Sequence, residues 1–225
     1  MEEKEEKFKV DTEELKNETV ETAKKVKESI KGANIKEETK ATKGFVVEMF
    51  KNPLEKIKEV ALDNSGKFFK TALFLLIIWT VVVFIEATYS TIHYWGIARV
   101  FKNILSVLKE ILAPAIGILV SALIVLVLNK NNKKSLITTI STITITKLPI
   151  IIALIASFLT LISSNISIIT TPFAKICSAI SIVLGYFGFK YLFEEDDNTF
   201  IKKYVLIQTV YYVAYIVIRL LGIYI

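Results

Sequence analysis

The chain is 225 residues long, 53% hydrophobic, and carries a formal net charge of +6. The charge divides by region: residues 1–66 hold 14 Lys against 16 Asp or Glu, a net −2, and residues 67–225 hold 14 Lys or Arg against 6 acids, a net +8. No basic patch interleaved with aromatics is present of the kind a nucleic-acid groove requires, so no nucleic acid is expected as a partner; the positive charge belongs to loops around five apolar stretches, 72–85, 111–128, 148–162, 176–193 and 204–224.

Crossing ~30 Å of hydrocarbon takes about 20 mostly apolar helical residues, and only a backbone that satisfies its own hydrogen bonds survives there. The expected fold class is therefore all-α, a polytopic membrane bundle of five transmembrane helices with a charged, partly disordered cytoplasmic N-terminal region. Three parts are expected: a tail (1–43), a juxtamembrane helix (44–66) and the membrane domain (67–225). The first ~70 residues are mostly charged and lack the short apolar region of a cleavable signal peptide, so the first span is expected to direct insertion. Lys outnumbers Arg 26 to 2, with abundant Ile and Asn, a bias that suits a low-GC bacterium and its cytoplasmic membrane.

Residues 1–43 form a Lys/Glu/Thr tract in which Leu15, Thr19, Thr22, Val26 and Ile30 keep helical spacing. That stripe is too thin to bury a core, so the segment reads as disordered or transiently helical, with a coiled coil or a recruited protein partner as the alternative. Next, Phe45, Val46, Met49 and Phe50 precede Asn52-Pro53-Leu54-Glu55. There Asn52 can cap, Pro53 suits the first helical position, and Glu55 sits where a capping-box acid belongs. Leu54, Ile57 and Ala61 share a face opposite Lys56 and Glu59, and Asp63-Asn64-Ser65-Gly66 stops the helix, with Gly66 able to adopt a left-handed conformation. Such a helix either lies along anionic lipid headgroups or packs beneath the bundle.

Lysine bias orients the spans. With the N-terminus inside, Lys51, Lys56, Lys58, Lys67, Lys70, Lys130, Lys133, Lys134, Lys147, Lys190, Lys202 and Lys203 fall on the cytoplasmic side, and Arg99, Lys102, Lys109, Lys175 and Arg219 on the other. Twelve against five predicts N-in, C-out. The third span begins ambiguously: 136–147 alternates Thr or Ser with Ile and Leu before Lys147-Leu148-Pro149. A short interfacial helix followed by a span from Pro149 is preferred, with Lys147 reaching the headgroups. Residues 163–171 are expected to form an outer turn closed by Pro172.

Few residues suggest chemistry. Glu86 lies within the first span, where an unpaired carboxylate is costly; Lys109, entering the second span from the same side, is the expected ion-pair partner, and Glu110 the alternative. A proton or cation relay would need further groups on one path. His93, Tyr94 and Trp95 suit an interfacial aromatic belt; no second set of zinc-type ligands accompanies them, so neither metal nor cofactor is expected. Cys177 reads as a small packing residue. Ala174, Ser178, Ser181, Gly185 and Gly188 form a small-residue face that serves packing within the bundle, or else a homodimer seam. Glu194–Asp197 is a run of four acids that reads as a solvated turn, cation binding being the alternative.

The layout of these parts resembles the bacterial branch of the Yip1 family: a charged N-terminal region, Phe50-Lys51-Asn52-Pro53, an amphipathic helix, Leu148-Pro149 opening span three, and Gly185-Tyr186-Phe187-Gly188 before the last cytoplasmic loop. The resemblance covers 44–225. It implies a five-span, non-enzymatic membrane protein; eukaryotic members work with small GTPases in vesicle traffic, and no catalytic residues carry over. Two functions follow as expectations: an adaptor that recruits partners at the cytoplasmic face, or a small-solute permease or permease subunit using Glu86 and Lys109. An enzyme is not expected, since no nucleophile–base pair is present.

Overall fold

The computed structural model describes residues 12–31, 35–95, 104–129 and 134–220, and every regular element among them is helical. Three helices precede the apolar region: α1 (Thr12–Lys31), α2 (Ile35–Lys51) and α3 (Pro53–Leu62). The apolar region holds α4 (Phe69–Trp95), α5 (Ile104–Leu128), α6 (Leu136–Thr146), α7 (Leu148–Ser157), the short α8 (Leu159–Ile162), a 3₁₀ turn (Ser164–Ile166), α9 (Ser167–Phe193) and α10 (Asp197–Leu220). Two helices, in α4 and α9, are long and apolar enough to cross a membrane, and a third span exists if α6 and α7, bent by 43° at their junction, count as one.

Local chemistry sets the element ends. Pro53 occupies the first turn of α3 as expected, whereas Asn52 sits at the cap position without a side-chain hydrogen bond to the helix. Asp63 ends the helix. Its Oδ1 accepts from the Ser65 amide (3.0 Å) and the Ser65 hydroxyl (2.5 Å), and Gly66 then takes φ 77°, the left-handed turn into α4. Pro172 does not close a turn: α9 starts at Ser167 and runs through it, leaving the turn between α8 and α9 only a few residues long. Pro172 cannot donate to the Ile168 carbonyl, so α9 runs on with one intrahelical bond fewer.

α6 is the centre of the molecule, packed by α3, α4, α5 and α9. Leu136–Thr139 and Ser141–Thr146 are all buried by neighbouring helices, and the break expected at Lys147 is present. Most of its polarity is handled locally, the buried Thr144 Oγ1 alone on this helix lacking a hydrogen-bond partner among the described residues. Ser135 Oγ accepts the Thr138 amide (3.1 Å), and the hydroxyls of Thr139, Ser141 and Thr142 return to carbonyls four residues back at 2.7–3.1 Å. Hydroxyls satisfied within their own helix can be buried at small cost. Two further bonds tie α6 to its neighbours, Thr138 Oγ1 to the Asp63 carbonyl (2.6 Å) and Ser181 Oγ to the Thr146 carbonyl (2.8 Å).

The core runs from this helix into an aromatic cluster. Phe189, Phe193, Phe200, Tyr186 and Tyr204 stack between α9 and α10 with centroids 5.1–6.2 Å apart. α3 contributes Ile57, Val60 and Ala61, each at most 1% exposed, against α6 and α9. Of the two arrangements open for this helix, it packs beneath the bundle.

Candidate functional site

Charged side chains collect in three places: at the strap formed by α2 and α3, at the joint between α9 and α10, and inside the apolar region. In the strap, Lys56 bridges Glu48 (2.7 Å) and Glu59 (2.8 Å), and Lys67 reaches Glu59 at 3.3 Å. The Lys56 ammonium also lies 5.7 Å and 5.8 Å from the centroids of the Phe45 and Phe68 rings. Hydrogen bonds from Lys56, and then Lys67, hold the Glu59 carboxyl below its ordinary value despite partial burial, while Glu48 and Glu59 hold the Lys56 ammonium above its own. The strap is a closed clasp between α2, α3 and the start of α4.

Its apolar residues split two ways. Of the face Phe45, Met49, Phe50, Leu54 and Ile57, the structure buries Phe45, Met49 and Ile57 and leaves Phe50 63% and Leu54 42% exposed. Exposed Val47 and the exposed lysines Lys43 and Lys51 lie at helical spacing beside Phe50.

At the α9–α10 joint, the acid run is engaged by lysines. Glu194, with φ 51°, ends α9 and pairs with the buried Lys134 (2.9 Å); Glu195 pairs with Lys203 (2.5 Å); Asp197 accepts from Lys190 (2.6 Å). Asp196 Oδ1 instead accepts the amides of Asn198 and Thr199, both at 3.1 Å, capping α10. Lys203 also donates to the Leu128 carbonyl (2.9 Å), and Asn129 Nδ2 to that of Leu192 (2.8 Å), so the end of α5 is tied to both α10 and α9. The turn is solvated as expected, with Glu194, Asp196 and Asp197 exposed, and its acids are at the same time engaged by lysines and backbone amides. The sequence signal was present in Lys134, Lys190 and Lys203, but pairing across 60 residues is not visible in a linear reading.

Inside the apolar region, Glu86 on α4 is half-buried, and the Ser157 hydroxyl of α7 approaches its carboxylate at 3.5 Å. Ser157 was not singled out by the sequence. Lys109 and Glu110 belong to α5, which packs against α4; their side chains lie outside the described residues, as do Arg99 and Lys102. Lys147 occupies the α6–α7 break with its ammonium 5.2 Å from the Tyr211 ring centroid. The neighbouring Thr146 carbonyl is bound by Ser181, which stands about 21 Å from one end of α9 and about 18 Å from the other at 1.5 Å per residue. Lys147 thus lies beside the middle of α9.

His93 is exposed and stacks on Tyr89, centroids 5.8 Å apart, one turn earlier on α4; the side chains of Tyr94 and Trp95 lie outside the described residues. Cys177 is a buried free thiol, and among the described residues no group of three or more His, Cys, Asp or Glu is placed to hold a metal. The small-residue face divides along α9. Gly188 meets Thr142 and Thr146 of α6 and Ile57 of α3, Gly185 faces the Tyr204 hydroxyl, and Ser181 bonds α6. Ala174 and Ser178 instead line an open groove beside α7.

No family model, curated protein or solved structure matches this chain significantly.

Proposed function

We propose that this is a non-enzymatic integral membrane protein of the Yip1-like type, with five spans, N-terminus in the cytoplasm and C-terminus outside, working as an adaptor at the cytoplasmic face of a bacterial membrane. In this reading the spans are α4, α5, the bent pair α6–α7, α9 and α10. The lysine asymmetry supports the orientation: the clasp and the α9–α10 joint, both lysine-rich, belong to loops that the positive-inside rule assigns to the cytoplasm.

The observation that carries the adaptor reading is the outward face of the strap. Val47, Phe50 and Leu54 are 42–63% exposed beside Lys43 and Lys51, while the clasp fixes the opposite face of the same helices to the bundle. An apolar row with lysines, held rigidly at a membrane surface, suits anionic headgroups or a docked protein segment. Photo-crosslinking from Phe50 and Leu54 in intact membranes tests it. Adducts to lipid or to one discrete protein support the adaptor, and adducts to neither, with wild-type function of a Phe50→Ser/Leu54→Ser variant, would sink it.

A second reading, a small-solute permease or permease subunit, rests on Lys147 at the helix break beside the middle of α9 and on Glu86, since broken helices with interior charges build transporter sites. Solute flux in proteoliposomes that disappears in Lys147→Met would favour this reading over the adaptor.

A further inference from the structure

Between α7 and α9, at the end of the bundle away from the strap, a groove opens sideways along the molecule. Its lining includes Thr171, Ala174, Ser178 and one cation, Lys175, together with Ser157 and Thr160, whose hydroxyls are already donated to the Leu154 and Ser157 carbonyls at 2.6 Å. Lys175 is exposed, and no carboxylate among the described residues pairs with it, whereas Lys56, Lys134, Lys190 and Lys203 all have acidic partners. Lys175 stands about 12 Å along α9 from Ser167 at 1.5 Å per residue. Helical side chains lean toward the N-terminus of their helix, so the Lys175 stem leans toward the Ser167 end, where the headgroup layer lies if α9 spans the membrane. Ile168, Ile169 and Ile176 on the same helix are 58–78% exposed, as a lipid-facing surface requires.

From this geometry we infer a binding site for one phospholipid, with its phosphodiester held by the Lys175 ammonium and the Thr171 hydroxyl and its glycerol and upper chain lying over Ala174 and Ser178. The occupant follows from complementarity. A cation with no carboxylate partner among the described residues, beside the Thr171 hydroxyl one turn nearer the Ser167 end, fits a phosphate, and the small side chains of Ala174 and Ser178 leave room for an acyl chain. A second copy of the chain would instead bring apolar side chains against a lysine that has no acidic partner among the described residues. The leaflet, though not the site, rests on the orientation proposed above.

Full-length protein in mild detergent, titrated with phosphatidylglycerol and followed by native mass spectrometry, tests the site. Wild type and Lys175→Arg should retain lipid, while Lys175→Gln should weaken binding about ten-fold, equivalent to ~1.4 kcal/mol. Ser178→Leu, which fills the groove without touching the charge, should weaken it similarly, and Lys70→Gln at the opposite end should not. Equal retention by wild type, Lys175→Gln and Ser178→Leu would overturn the proposal. So would displacement by millimolar glycerol phosphate or inorganic phosphate, which would make a free phosphate the ligand. Disulfide dimers of Ser178→Cys in a Cys177→Ala background, formed in native membranes, would give the groove to a second copy and also overturn it. Labelling of Lys175→Cys by an impermeant thiol reagent reads the orientation separately: access only from the cytoplasm would refute N-in, C-out while leaving the lipid measurement standing.

Discussion

At Gly188, α9 approaches α6 so closely that a Cβ would lie 3.0 Å from the methyls of both Thr142 and Thr146. Those threonines are buried in the central helix and cannot swing into open space, so added volume there strains two helices at once. Gly188→Ala should lower the melting temperature in detergent by an amount equivalent to ~1–3 kcal/mol, the usual cost of overpacking. Thr142→Ser and Thr146→Ser remove the opposing methyls while keeping the hydroxyls, so Gly188→Ala should be nearly neutral in that double background. Additive losses would mean the close approach is not what Gly188 provides. Glu86 admits a similar cycle. If it pairs with Lys109 as well as approaching Ser157, Glu86→Gln should destabilise and Lys109→Met in the same chain should recover part of the loss. Simple additivity leaves Glu86 with Ser157 alone.

The strap formed by α2 and α3 has a stability that depends on pH in a direction its pairs fix. Glu59 is held below its ordinary 4.5, so its contribution is present above that value and lost as pH falls through the lowered one. Lys56 is held above 10.5, so its contribution is complete below that value and lost only as pH rises through the raised one. Amide protection over 35–51, corrected for intrinsic exchange, should be flat near neutrality and fall in acid below about pH 4.5. Glu59→Gln should reduce the neutral-pH protection and flatten the acid response; an unchanged profile would show that apolar burial alone holds the strap. Much of this element was legible in sequence, since Pro53, Asp63 and Gly66 act through neighbours only one or two residues away. The inward half of the face was not. Ile57 is buried because α3 packs against α6 and α9, partners far along the chain, and Phe45 and Met49 because α2 folds back on α3 and α4, which leaves Phe50 and Leu54 outward. The burial of α6 was hidden for a related reason: alternating Thr and Ile reads as a surface pattern until the hydroxyls of Thr139, Ser141 and Thr142 are seen to bond their own helix. Glu86 could be found because a carboxylate in an apolar run is conspicuous, whereas Ser157 and Tyr211 carry no signal until α7 and α10 bring them to their partners.

For the whole molecule, the arrangement is a bundle wound around one polar helix, closed at the strap end by the Lys56 clasp and the lysine-bound α9–α10 joint. Two helices, or three with the bent pair, meet the length and hydropathy of a span; the five-span account adds α5 and α10, which pack extensively against each other. An odd number of crossings separates the termini, and an even number would place them together. The most direct test is a pair of fusions in living bacteria, one reporter before residue 12 and one after residue 225, each active on only one side of the membrane. The account predicts cytoplasmic activity at the first position and activity outside at the second. Cytoplasmic activity at both would contradict it, and would mean that the bent α6–α7 pair re-enters from the side it left or that α10 does not cross.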